Sequence, residues 1–324
     1  MKVGGVVAAV MLLWPAIGAA EAYRAPRTAS GQPDLQGLWT NASLTRIERP
    51  DGFETVVVPP EKARAFEAGH NGLVTIPDDD TGQSESEWWE LGGHLSRVGG
   101  QARAALVVDP PDGRLPYTQA GRAAAAKRPG FDGPEARNPA ERCLSGIGTP
   151  AGPPMFNAPY NSNYQIVQTA DQVAILVEMN HDVRIVRLGA RPLPPSIRLW
   201  MGDSIGHWEG ETLVVETTNL NPSEGQRGAS AIGRTYISGD AKIVERFTRI
   251  APDRIFYAFT VDDPRTYSRP WRGEMTFTAT KGPMFEVACH EGNYSMEGIL
   301  AGARQAEAAA RDAAASAEPP RTAR

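Results

Sequence analysis

The chain has 324 residues, 41% of them hydrophobic and 22% charged, which is ample for a buried core in one large or two small domains. Its 33 Lys and Arg stand against 38 Asp and Glu, a net charge of −5, and without a basic excess there is nothing to hold phosphates, which argues against a nucleic-acid partner. The 33 Gly and 27 Pro call for many turns and extended connections.

Taken in order, the chain opens on Lys2, an apolar run from Val6 to Ile17 and the small residues Ala20-Glu21-Ala22. This is the pattern of a Sec-type signal peptide cleaved near Ala22, and it predicts a periplasmic or secreted protein starting near Tyr23. The run is too short to span a bilayer, and no other segment is long and apolar enough for a membrane span.

GQPDLQGLWT (31–40) reads as a short edge strand entered through a turn, and Pro59-Pro60 open a helix over EKARAFEAG. Residues 75–100 are acidic and Gly-rich, with Trp88 and Trp89 either pinned on the core or serving as a stacking lid. AALVVD (104–109) is a strand followed by a Pro-Pro-Asp-Gly turn, and 118–128 is a helix stopped by Pro129. A long Pro/Gly-rich connection then runs to Pro159.

From Tyr164 the period is close to two. Strands are predicted at 164–169, 173–179, 183–188, 197–201, 213–218, 242–250, 254–262, 274–280 and 284–289, separated by turn chemistry such as Asn180-His181-Asp182 and Glu209-Gly210. Without helical crossovers this is a mainly β chain: an antiparallel β-barrel or closed sandwich, lipocalin-like, of about nine strands. In KIVERFTRI neither face is purely apolar, which suits a barrel with a partly polar interior. The predicted organisation is an irregular region over 23–159, a barrel core over 160–295, and a C-terminal helix from 296 that frays beyond Arg304. Cys143 and Cys289, an even pair in an oxidising compartment, read as a disulfide.

The strings GQPDLQGLWT, VVDPPDGRLPYT, YNSNYQIVQT, EMNHDVRIVRL, IRLWMGDSIGHWEGETLVVETTN, VDDPRTYSRPW and ACHEGNYSMEG together resemble a large family of exported, β-rich bacterial proteins. The resemblance covers almost the whole chain after the signal. It implies export and a single β-rich unit, and it transfers no reaction and no catalytic residue.

Chemistry-bearing residues gather at turns. Glu178, His181, Asp182 and Arg184 form one group: Glu178 ends an apolar run and needs a partner, for which Arg184 is the obvious choice, and a turn at 180–182 can set His181 beside a carboxylate. Asp203 and His207, on a bent loop around Gly202 and Gly206, form a second acid–base arrangement flanked by Trp200 and Trp208. Tyr160, Asn161, Asn163, Trp271 and Tyr294 complete the substrate-binding candidates, with Arg269 stacked on Trp271. No cofactor is expected; a divalent metal on His181, His207 and His290 is the alternative. The leading expectation is an exported enzyme doing hydrolysis or elimination on a small neutral glycoside or aromatic compound. The alternative is a non-catalytic, lipocalin-like binding protein for an apolar ligand. In both, the partner is a small molecule.

Overall fold

The computed structural model describes residues 23–70, 92–146, 148–158, 160–228 and 233–317. The expected signal peptide and the Trp88-Trp89 stretch lie outside them. In chain order the elements are β1 (Gly37–Thr40), β2 (Val57–Val58), α1 (Pro60–His70), β3 (Arg97–Val98), β4 (Gln101–Arg103), β5 (Val107–Asp109) and α2 (Gln119–Ala126). They continue with β6 (Asn163–Gln168), β7 (Gln172–Val177), β8 (Val183–Leu188), β9 (Asp203–Glu209), β10 (Thr212–Thr218), β11 (Gln226–Arg227) and β12 (Thr235–Tyr236). β13 (Lys242–Ala251), β14 (Arg254–Asp262), β15 (Trp271–Ala279) and α3 (Ser295–Ala317) end the chain.

Nine strands close into a barrel in the order β1-β6-β7-β8-β9-β10-β13-β14-β15, and β15 returns to β1. The expected barrel is therefore present, but it is mixed. Strands alternating in direction around a ring cannot close when their number is odd, so one neighbouring pair must be parallel. That pair is β8–β9, with Val186 opposite Ser204 and Leu188 opposite Gly206. A parallel seam needs a crossover connection, here residues 189–202.

The stretch read as an edge strand closes the ring: Trp39 lies opposite Tyr164 on one side and Ala279 on the other. The barrel thus draws a strand from the region expected to pack outside it. Residues 197–201 and 284–289 are irregular rather than strands, and the bent loop expected at 203–209 is the regular strand β9. Helix α3 continues past Arg304 to Ala317, as its Ala-, Glu- and Arg-rich sequence favours. A three-stranded sheet, β2-β4-β3, packs with α1 over Phe53, Val58, Ala63 and Leu95 beside the barrel.

The barrel interior is filled. Trp39, Tyr164, Phe247, Tyr257, Phe259, Trp271 and Phe277 are buried in it, with ring centroids 4.8 Å apart for Phe247–Tyr257 and 5.3 Å for Tyr164–Phe277. Each such ring contributes roughly 1.5–3 kcal/mol by leaving water. Among these rings sits one ion pair. Arg184 Nη1 donates to Glu245 Oε1 at 3.2 Å, and the Tyr257 hydroxyl donates to the same oxygen at 2.7 Å. Arg184 Nη2 and Glu245 Oε2 lie 2.8 Å apart without hydrogen-bond angles. Burial, then the Glu245 charge, pushes the Tyr257 phenol well above its usual range.

The two ends of the barrel differ. At one end the strands join through tight turns at 169–171, 210–211 and 252–253. At the other lie the hairpin 178–182 and the described residues of the long connections 110–162, 219–241 and 263–270. The disulfide Cys143–Cys289 forms as expected, S–S 2.04 Å, and fastens one of those connections to the segment before α3.

Candidate functional site

The loop-bearing end concentrates backbone strain. Among the described residues six non-glycines have positive φ: Cys143, Thr149, Asn161, Asn180, His181 and Asn219. All six lie in loops of this end, and two are consecutive. Each such residue costs about 1–3 kcal/mol and persists only where its surroundings enforce it.

Asp182 stands at the centre of these loops, half-buried, its Oδ2 accepting from the Gly146 N–H at 3.3 Å. Burial pushes its carboxyl up to about 6, and the nearby Glu224 charge adds to this. The Gly146 and Asn180 hydrogen bonds and His181 only partly oppose the rise. Glu224 is buried, and its Oε1 accepts from the Ser145 hydroxyl at 2.9 Å and the Thr149 hydroxyl at 2.7 Å. Arg227 is 0% exposed; its nearest carboxylate atom is Glu224 Oε1, 3.9 Å from Nη1. Burial holds its pKa below the usual guanidinium value, opposed by Glu224. The 141–158 loop, the 178–182 hairpin and the 219–228 loop thus place two carboxylates, a guanidinium and two hydroxyls together.

Of the expected site residues, this cluster contains Asp182, with His181 exposed beside it. Glu178 is buried at the same end, but Arg184 is not its partner: Oε2 accepts from Asn163 Nδ2 at 2.6 Å and Oε1 from the Phe285 N–H at 2.6 Å. The 3-10 turn at Met179–His181 lets Glu178 leave the strand register, so Arg184 alone points inward to Glu245. Tyr160 and Asn161 are half-buried on the same loops.

The second expected pair does not assemble. On the regular strand β9, Asp203 and His207 are four residues apart, roughly 13 Å. Asp203 accepts from Arg187 Nη2 at 2.7 Å and from the Leu193 N–H at 2.7 Å, which anchors the crossover. The His207 side chain is 61% exposed and meets Glu209 at 3.1 Å, with Arg246 2.6 Å from the other carboxylate oxygen. Arg246 first, then His207, holds Glu209 below the usual carboxylate range. Along the parallel seam His207 lies roughly 25 Å from His181, since β8 begins just after His181 and passes β9 only near Gly206.

Trp208 packs on the core from inside the barrel, and Trp200 is half-buried on the crossover. Trp271 is fully buried, edge-on to Phe259 and Tyr267, while Arg269 pairs with Asp109 at 3.0 Å instead of stacking on it. Tyr294 is 82% exposed and His290 is exposed on the disulfide-tied segment. Among the described residues no three His, Cys, Asp or Glu side chains converge as a metal cluster. Sequence reasoning missed Ser145, Thr149, Glu224 and Arg227. The available signal was Glu-Gly-Gln-Arg-Gly, a carboxylate and a guanidinium three apart, each followed by a glycine.

No family model, curated protein or solved structure matches this chain.

Proposed function

We propose that the protein is an exported enzyme doing acid–base chemistry, hydrolysis or elimination, at the loop-bearing end of its barrel, on a small neutral glycoside or aromatic compound. The observation that carries this reading is Asp182: a half-buried carboxylate beside a second carboxylate, Glu224, with its pKa pushed up to about 6. A carboxyl raised into that range holds its proton up to about pH 6 and can deliver it to a leaving group, the role of a general acid. Glu224 supplies the second carboxylate, and His181 stands exposed beside Asp182. The backbone strain of this end favours the same reading, because strained residues collect where geometry serves chemistry. The ring-filled interior weighs against an apolar ligand carried in a lumen.

Chromogenic aryl glycosides test it. Turnover should fall as pH rises through about 6, and Asp182→Asn should lower kcat by about 10²-fold or more. Turnover unchanged in Asp182→Asn, or none on any aryl glycoside or aryl ester offered, would overturn the proposal.

A further inference from the structure

Among the described residues, the Arg227 side chain is the least satisfied polar group at the loop-bearing end. It is fully buried, and among the described residues Nε, Nη1 and Nη2 all lack a hydrogen-bond partner. Beside it, the buried Oε2 of Glu224 also has none, since Ser145 and Thr149 both engage Oε1. Leaving a buried polar group unsatisfied is costly, more so when it is charged, so donors and an acceptor left open side by side need an occupant.

Chemistry selects that occupant. It must accept from a guanidinium and donate to a carboxylate within about one residue's breadth. A phosphate or carboxylate answers Arg227 but its charge meets that of Glu224, and a carboxylate also offers Oε2 no proton. An ammonium answers Glu224 and repels Arg227. A hydroxyl does both, whether of water or of a ligand, accepting through its lone pairs and donating its proton. Two neighbouring hydroxyls fit better, because the planar guanidinium fork presents parallel N–H groups. The same loop that bonds Glu224 through Ser145 bonds Asp182 through the next residue, Gly146, which sets this pair close to the proposed proton donor.

We propose that Arg227 and Glu224 form a subsite for a vicinal diol, so that the ligand is a sugar or other polyol rather than a plain aromatic compound. This rests on the acid–base reading for its place in a reaction, but not for binding. Because Arg227 is closed off, entry requires the loops to part where the Gly228 N–H meets the Gly148 carbonyl at 3.0 Å and the two hydroxyls meet Glu224.

The test is calorimetric titration of the intact protein with methyl glucoside, methyl galactoside, methyl xyloside and myo-inositol, with inorganic phosphate and acetate as anionic probes. At least one polyol should bind. Glu224→Gln, which keeps shape and the hydroxyl contacts, and Arg227→Lys, which keeps charge but loses the fork, should each weaken it about tenfold or more, with circular dichroism reporting an unchanged fold. Asp182→Asn should bind that polyol as the wild type does. Binding of phosphate or acetate alone, no binding of any polyol, or polyol affinity unmoved in folded Glu224→Gln would overturn the subsite. Polyol binding lost in Glu224→Gln but without turnover in the wild type would leave the subsite standing and sink the acid–base reading. Turnover of an aryl glycoside at unchanged affinity in both variants would do the reverse.

Discussion

At the scale of single residues, the carboxylates of Asp182 and Glu245 show how surroundings assign roles. Asp182 has its carboxyl raised to about 6, so the folded state binds its proton more tightly than the unfolded chain, whose carboxyl titrates near 3.8. Its contribution to stability is complete below about pH 4 and is lost as pH climbs through about 6. Relative to wild type, Asp182→Asn should therefore gain stability between pH 4 and pH 7, on the order of 2 kcal/mol, read from urea midpoints across that range. Glu245 is held instead by Arg184 and Tyr257 inside the barrel. Removing one member of such a pair strands the other charge: Arg184→Met should destabilise by about 3–5 kcal/mol, and Arg184→Met with Glu245→Leu by much less, also by urea unfolding. The sequence offers Arg184 as the partner that Glu178 needs. The actual partner of Arg184 lies 61 residues away, a distance no local pattern spans.

At the scale of elements, strands were legible wherever one face carried large apolar residues. Val173, Ile175 and Val177 announce β7, and Ile255, Tyr257 and Phe259 announce β14. β9 was hidden because two of its inward positions are Ser204 and Gly206, which carry no hydrophobic signal. The small side chains have a packing reason: a Cβ on Gly206 would meet Val186 Cγ1 at 2.7 Å across the parallel seam. Gly206→Ala should accordingly destabilise by about 1–3 kcal/mol, measured as a fall in thermal midpoint. Conversely, Ile197 and Leu199 alternate like a strand yet are 42% and 44% exposed on the crossover, where prolines on their N-terminal side deny ladder donors. The candidate site was half legible. Turn chemistry at 180–182 pointed to Asp182, whereas Glu224 and Arg227 sit in an aperiodic loop whose meeting with Ser145 and Thr149 is set only by the closed fold.

At the scale of the whole molecule, the barrel keeps its tight turns at one end and its long connections, buried charges and strained backbone at the other. The disulfide binds two of the participants, since Cys143 lies two residues before Ser145 and Cys289 ends the segment whose Phe285 N–H meets Glu178. The ring itself is shut by a four-residue strand from near the start of the chain, with Trp39 opposite Ala279. While the polypeptide is being made, that early strand has no second neighbour until the last strand has emerged. Every shorter intermediate therefore holds two open edges, ready to pair with another chain. Local hairpins such as β13–β14 can form at once, but the final step must bring together positions 240 residues apart, so a slow closing event and a period of vulnerability to aggregation are built into the connectivity.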